Sequence, residues 1–146
     1  SMEYKLFDKV ARYNPLKMLI NFALTGKMTD EDISAKFDPI KLQPCYNVSC
    51  LCAPGTIARI EGCDELKESE GVIDFILTHY PGDTITEEMR GLLTQITVRV
   101  LGYVDSKEEL CDAMQFIGDK VQIISTEGEN LLLPGIQLAD IEGMVI

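Results

Sequence analysis

Four of the five cysteines lie close together in the sequence, at Cys45, Cys50, Cys52 and Cys63. Thiolates can form a structural zinc site, but such sites pair cysteines separated by roughly two to four residues. Only one residue separates Cys50 from Cys52, which places both side chains on the same side of a strand. Free cysteines are usually packed inside proteins, so we predict buried thiols and no metal-binding residue.

His79 is the only histidine in the sequence. A Ser-His-Asp or Cys-His mechanism would depend on this residue, which lies at the end of a predicted strand just before a proline turn. No nucleophile motif such as GxSxG accompanies it, which favours a partly exposed structural histidine. The phosphate-binding patterns GxxxxGK[ST] and GxGxxG do not occur, so the sequence predicts no catalytic and no cofactor-binding residue in this chain.

A run of acidic residues follows the cysteines and could in principle bind calcium through its carboxylates. It lacks the DxDxDG framework and the spaced terminal glutamate of an EF-hand. We therefore expect a solvated charged face rather than a cation site. The run consists of Glu61, Asp64, Glu65, Glu68 and Glu70.

The elements that must position these residues begin with a helical segment. Asn14 and Pro15 are an N-cap followed by proline at the first helical position, and apolar residues then recur at helical spacing up to Gly26. Thr29 resembles the start of a second, short helix that Asp38-Pro39 must close. These signals predict that the first part of the chain, to about residue 40, is helical.

A further helix is predicted from Ser106 to Gly118. Ser106 and Glu109 have the spacing of a capping box, and glycine is typical of a helix C-terminus. The predicted inward face consists of Leu110, Ala113, Met114 and Ile117.

Between these helices apolar residues recur at every second position, which is typical of strands. Residues 71 to 80 place Ile73, Phe75 and Leu77 on one side. A second strand alternates three apolar residues with Gln95, Thr97 and Arg99, which are expected to face solvent; its apolar residues are Ile96, Val98 and Val100. Shorter strand candidates are 46–52, 56–61 and 121–125.

The spacing of strands, turns and helices indicates the fold class. Pro54-Gly55 and Pro81-Gly82-Asp83 are typical of turns between neighbouring strands. Short connections with one helix crossing late predict an α+β fold: an antiparallel sheet with helices packed on one face and an N-terminal helical segment.

Composition narrows the classes of protein. The chain has 146 residues, of which 46% are hydrophobic and 25% charged, as expected for one globular domain. Lysine and arginine number 13 against 24 aspartates and glutamates, for a net charge of −11, which disfavours nucleic acid and anionic lipid as partners.

The sequence also indicates a compartment. No apolar run reaches the roughly 18 residues of a membrane span, and no signal peptide is visible. An odd number of cysteines favours reduced thiols, so we expect a cytoplasmic protein that does not bind membranes. Ser1 and Met2 are typical of a protease-cleavage remnant, which indicates that the chain is part of a longer protein.

One ordered series of motifs resembles a known family. It begins with APGTIARIEG at Ala53–Gly62 and continues through DEL, GV and the PGD turn to RVLGYV at Arg99–Val104 and the helix capped by Ser106. This order is similar to the C-terminal domain of ATP-grasp ligases, a superfamily that includes amino-acid ligases and carbamoyl-phosphate-synthase-like proteins. Residues 14–26 resemble the helix that closes the preceding catalytic domain in such ligases.

The resemblance, which covers about residues 14–125, implies a reaction that belongs to a longer parent protein. ATP activates a carboxylate as an acyl phosphate, an amine or ammonia attacks it, and Mg²⁺ holds the phosphates. In the family the residues that hold ATP and magnesium lie upstream of the matched region, so no catalytic residue is carried over to a position here. Arg90 and Arg99 are possible substrate-facing groups, although alternation favours Arg99 as a solvent-side strand residue.

Two functional hypotheses follow. In the first, residues 1–146 are one domain of the larger ligase: 1–45 form a helical segment that closes the preceding domain, and 46–146 form the sheet and helix. Its partner is then the upstream catalytic domain of the same polypeptide, and the chain alone is inactive. In the second, the chain is a stand-alone regulatory or interaction module with a ferredoxin-like sheet that binds a small molecule. The substrate and the oligomeric state are not predicted.

Overall fold

The computed structural model describes residues 3–29 and 43–144, and the short helix predicted to end at Asp38-Pro39 lies outside these ranges. Helices and antiparallel sheets confirm the α+β class and the N-terminal helical segment. The helices are α1 (Glu3–Val10), α2 (Pro15–Thr25), α3 (Cys63–Glu68), α4 (Lys107–Lys120) and α5 (Leu138–Glu142). The strands are β1 (Cys45–Leu51), β2 (Gly55–Glu61), β3 (Val72–Leu77), β4 (Thr84–Ile85), β5 (Ile96–Tyr103) and β6 (Gln122–Ser125).

The strands form two antiparallel sheets of three strands each, where the sequence predicted one sheet. The larger has the order β1-β5-β3, and the smaller has the order β4-β2-β6. In the larger sheet Tyr46, Gly102 and Val72 are neighbours across the strands, as are Asn47, Leu101 and Asp74 on the opposite face. Consecutive positions thus divide between a core face and an outer face.

A single hydrophobic core joins the two sheets. It includes Val98 and Val100 from the larger sheet, Ile57 and Ile123 from the smaller sheet, and Ile117 from α4. The inward face predicted for this helix is confirmed, since Met114 and Ile117 are buried and Leu110 and Ala113 pack against the core.

Helix α1 packs on the other face of the larger sheet, against β3 and β5. Lys5 pairs with Asp74, Asn47 Nδ2 donates to Glu3 Oε1 at 3.4 Å, and Lys9 lies over the Tyr103 ring. Helices therefore lie on both faces of this sheet.

The solvent-facing side predicted for β5 is wrong. Thr97 is fully buried and Gln95 is only 4% exposed, while Arg99 is half-buried on this outer face. β5 is the central strand of its sheet, with β1 and β3 on either side, and the Gln95 side chain hydrogen bonds to the backbone of Cys52 and Gly91. The Thr97 hydroxyl has no hydrogen-bond partner among the described residues.

The capping signals of two helices are confirmed. Asn14 Oδ1 accepts hydrogen bonds from the backbone N–H groups of Leu16 and Lys17, and Gly26 ends α2 in a left-handed conformation with φ of 77°. Ser106 Oγ accepts from the Glu109 N–H at the start of α4. This helix continues past the predicted end at Gly118 to Lys120, because its backbone remains hydrogen bonded through Val121.

The segment after residue 130 is hydrogen bonded to β6 and to the turn between β1 and β2. The Leu131 N–H donates to the Ile123 carbonyl, and its carbonyl accepts from the Ala53 N–H, both at 2.7 Å. Leu131 and Ile141 are buried, whereas Ile136 is exposed. No helix in the described ranges is long and apolar enough to cross a membrane.

Candidate functional site

The cysteines do not converge on a common point. Cys50 and Cys52 are both buried in the core, as predicted, while Cys63 and Cys111 are half-buried and Cys45 is exposed; all five are free thiols. Among the described residues no three cysteine, histidine or acidic side chains are placed to hold one metal ion.

The buried thiols are poor nucleophiles. Burial raises the pKa of Cys50 to about 11, with a smaller contribution from the nearby Cys63. Burial also raises the pKa of Cys52. A nucleophilic cysteine needs a lowered pKa, so this environment fits packing rather than catalysis.

His79 holds a turn together. Its Nε2 lies 2.7 Å from the Thr94 carbonyl oxygen, and its Nδ1 lies 3.5 Å from Asp83 Oδ2. Asp83 Oδ2 also accepts a hydrogen bond from the Tyr80 N–H. The imidazole therefore ties the PGD turn to the segment before β5, which agrees with the structural role favoured by the sequence.

The two arginines considered as substrate-facing groups lie apart. Arg90 is exposed and forms an ion pair with Glu87 at the start of the loop before β5. Arg99 lies on the outer face of the larger sheet between Ser49 and Ile76. The structure thus does not bring them into one site.

All five residues of the acidic run are exposed. Asp64, Glu65 and Glu68 belong to α3, and Glu61 at the end of β2 pairs with Arg59. Glu70, in the turn between α3 and β3, differs because it lines a cleft.

This cleft, of about 560 Å³, lies between α4, the end of β5 and the turn before β3. We call it the α4 cleft. Its polar lining includes Tyr46 and four carboxylates: Glu70, Asp105, Glu109 and Asp112. Its apolar lining includes Val72, Val104, Ala113, Phe116 and Ile117.

Tyr46 forms part of the cleft because Gly102 has no side chain. A Cβ at Gly102 would lie 2.2 Å from both Cζ and Oη of Tyr46, so the phenol ring lies directly across this glycine. Glycine inside a strand often marks such a close approach. The ring extends from β1 across β5 towards β3, and Tyr46 is only 8% exposed.

The α4 cleft was missed by sequence reasoning because its residues come from separate segments. Tyr46 is on β1, Glu70 is in a turn, and Asp112 is on α4. The single local signal was Gly102 within the strand sequence RVLGYV.

A second candidate surface lies on α2, where none of the helical residues is buried. Asn14 and Gly26 define the ends of this helix, which packs against α1. Its exposed apolar side chains, which we call the α2 apolar surface, are Leu16, Leu19, Ile20, Phe22 and Leu24. Single exposed apolar residues are ordinary, but a contiguous group of this kind is typical of an interaction site.

Comparison of the chain with protein-family models, with curated proteins and with solved structures gave no match.

Proposed function

We propose that this chain is the C-terminal domain of an ATP-dependent carboxylate-amine ligase of the ATP-grasp superfamily, or of a carbamoyl-phosphate-synthase-like protein. In this role it walls the substrate side of the upstream catalytic domain. The observation that carries the proposal is the α2 apolar surface. Leu24 is 79% exposed and Leu19 is 58% exposed, so the described domain does not bury them itself.

The position of α2 supports this partner. The resemblance assigns residues 14–26 to the helix that closes the catalytic domain, and α2 spans Pro15–Thr25. Helix α1, by contrast, is bound to the larger sheet through its ion pair between Lys5 and Asp74. A helix held at one side by α1 and apolar on its exposed side is suited to contact a neighbouring domain.

The motifs that carry the resemblance are consecutive structural elements. APGTIARIEG forms the turn and β2, DEL lies in α3, PGD precedes β4, and RVLGYV forms most of β5 before the capped helix α4. These motifs lie where the chain turns or where one strand pairs with another. They support a shared domain architecture and carry no catalytic group.

The carboxylates around the α4 cleft, including Glu70, Asp105 and Asp112, would repel a triphosphate. In the proposed ligase, ATP and Mg²⁺ are held by the upstream domain, where they supply carboxylate activation.

Calorimetric titration with Mg-ATP tests this proposal. We expect no binding to residues 1–146 and binding to the protein encoded when the reading frame is extended upstream of Met2. Micromolar affinity of the chain alone would overturn the proposal. An in-frame stop codon immediately upstream of Met2 would also overturn it.

The α4 cleft favours a second candidate, a module that binds a small molecule. The two three-stranded sheets differ from the single sheet of a ferredoxin-like βαββαβ domain, so this alternative does not depend on that architecture. It would be favoured over the ligase if the chain is encoded alone and binds a small ligand in the cleft.

A further inference from the structure

The larger sheet has an open edge along β1. β5 is the central strand, so β1 and β3 are the edges of this sheet. The Val104 N–H donates to the Pro44 carbonyl at 3.0 Å, and bonded positions recur at every second residue of an antiparallel pair. The register with β5 is regular over this stretch, so Val48 is bonded to β5, whereas the backbone groups of Asn47 and Ser49 point to the open side. Among the described residues none forms a hydrogen bond with these N–H and C=O groups.

The opposite edge of the sheet, β3, is blocked by a side chain. The Thr78 N–H donates to the Thr97 carbonyl at 2.9 Å, so by the same alternation the N–H of Phe75 points away from β5. Asp74 Oδ1 accepts a hydrogen bond from this N–H at 2.9 Å, and the carboxylate also pairs with Lys5. Charged side chains on an edge strand oppose pairing with another strand. β1 lacks such protection, because its sequence CYNVSCL contains no charged residue and no proline.

The chain itself pairs with the far end of the β1 edge. Cys52, directly after β1, forms an antiparallel bridge with Leu132. The pairing ends before Pro134, which has no N–H to donate. The open backbone groups of Asn47 and Ser49 lie further along the same edge, so a strand that runs in the same antiparallel direction would continue this pairing.

A groove of about 350 Å³ lies beside the open edge, between β1, α4 and the segment after residue 130. Residues opposite each other in paired strands point to the same side, so the residue of an added strand opposite Val48 would point into this groove. Asp119 is the one charged residue of the lining as far as the structure describes it, and with the net charge of −11 it favours a basic partner. An apolar side chain is favourable against the rest of the lining, which includes Val48, Cys50, Met114, Ile117, Leu132 and Ile136.

We propose that the open edge of β1 binds an extended peptide of another protein by β-strand addition, antiparallel to β1. The peptide backbone bonds to the N–H and C=O groups of Asn47 and Ser49. The peptide side chain opposite Val48 is apolar and lies in the groove, and basic residues flank the paired stretch. Main-chain hydrogen bonds then supply affinity, and the groove supplies specificity. This binding is separate from the proposed ligase reaction and does not involve α2 or an upstream domain.

The probe is the heptapeptide KVTVTVK, acetylated and amidated, which is titrated into the ¹⁵N-labelled chain. With its central valine opposite Val48, its two threonines pair with Asn47 and Ser49. We expect saturable chemical-shift changes and slower hydrogen exchange at these two amides, with a Kd below about 1 mM.

The control peptide has the same sequence with both threonine nitrogens methylated. It keeps every side chain and the charge but lacks the two N–H groups that donate to the carbonyls of Asn47 and Ser49. It should therefore bind at least about tenfold more weakly.

Substitutions of Ser49 test the edge from the side of the protein. Ser49→Pro removes an N–H that makes no bond to β5 and places the proline ring on the open side, where edge strands tolerate it. It should weaken binding of the probe at least about tenfold, whereas Ser49→Ala, which keeps the N–H, should change the affinity by less than about threefold.

Ile136→Ala tests the groove without a change to the edge strand. It should weaken binding by about threefold to tenfold, because apolar contact with the central valine is lost. Leu93→Ala is the matched control, since Leu93 is 79% exposed and does not line the groove, and it should change the affinity by less than about twofold. These two variants and the methylated peptide keep the test valid if Ser49→Pro does not fold.

Equal affinity for the methylated and the unmethylated peptide would overturn the proposal, because the backbone of the edge would then not bind the probe. No saturation up to about 1 mM, or equal effects of Ile136→Ala and Leu93→Ala, would also contradict it. A dimer of the free chain in sedimentation, with the amides of Asn47 and Ser49 already protected from exchange, would show that a second copy occupies the edge and would likewise overturn the proposal.

Discussion

Gln95 and Cys52 form a reciprocal pair between the start of β5 and the end of β1. The Cys52 N–H donates to the Gln95 carbonyl at 3.1 Å, and the side-chain Nε2 of Gln95 donates to the Cys52 carbonyl at 3.0 Å. Gln95 Oε1 also accepts from the Gly91 N–H at 2.9 Å. One buried amide therefore satisfies backbone groups of two segments, although alternation placed Gln95 beside solvent.

Replacement of Gln95 by leucine should lower the free energy of unfolding by about 2 to 4 kcal/mol, because the buried hydrogen bond to the Cys52 carbonyl and the partly buried one from the Gly91 N–H are lost. Urea unfolding measures this change. Gln115→Leu on the exposed side of α4 is the control and should alter stability by less than about 1 kcal/mol. Equal effects of the two substitutions would show that the Gln95 amide does not stabilise this junction.

Stability should fall in alkaline solution because of Cys50. Its pKa is about 11 in the folded chain against 9.0 for an ordinary thiol, so the folded state holds the proton more tightly than the unfolded state. The contribution is complete below pH 9 and is lost as the pH rises to 11, for a total of about 2 to 3 kcal/mol.

Unfolding curves of Cys50→Ala and Cys111→Ala across this pH range check the assignment. The Cys50→Ala protein should have the flatter pH dependence, while Cys111→Ala should follow the original chain. A slope that is unchanged in Cys50→Ala would exclude this thiol as its source.

The segment after residue 130 should be part of the folded domain, although only some of its apolar residues contribute. Leu131→Ala should cost about 3 kcal/mol, because the buried side chain lies over Gly55 and leaves a cavity. Ile136→Ala, at a 45% exposed position, should cost less than about 1 kcal/mol. Thermal unfolding compares the two, and similar losses would contradict the packing seen here.

The α2 apolar surface should affect the activity of the proposed longer protein and not the stability of residues 1–146. Leu19→Glu combined with Ile20→Glu should change the unfolding free energy of residues 1–146 by less than about 1 kcal/mol, since both side chains are exposed. If the chain is the proposed ligase domain, the same pair should lower kcat/KM of the longer protein at least about tenfold, because charge would enter an apolar interface.

Lys17→Glu is the matched control for that pair, because it changes the net charge by the same amount on an exposed position of α2. It should leave the full-length activity within about twofold. If the double variant and Lys17→Glu both lose activity, the loss is an effect of net charge. If both keep normal activity, α2 does not contact the neighbouring domain.

Local signals in the sequence determined α2, α4 and most strand positions, but not the short helices α3 and α5. The ends of α2 follow from Asn14, Pro15 and Gly26, whose effects act within a few residues, and Ser106 begins α4 for the same reason. The inward position of Ile117 also follows from spacing along one helix. These features depend on neighbours in the chain, so they are readable without the fold.

Only the tertiary structure decided which surfaces are covered. Alternation correctly made β5 a strand, but it could not show that this strand is the central one of its sheet or that Thr97 is fully buried. The same holds for the α4 cleft, where Tyr46 reaches the end of β5 only because Gly102 opposes it in the register. Burial and cleft formation depend on contacts between residues far apart in the chain. Sequence periodicity shows only which side of a single helix or strand is apolar.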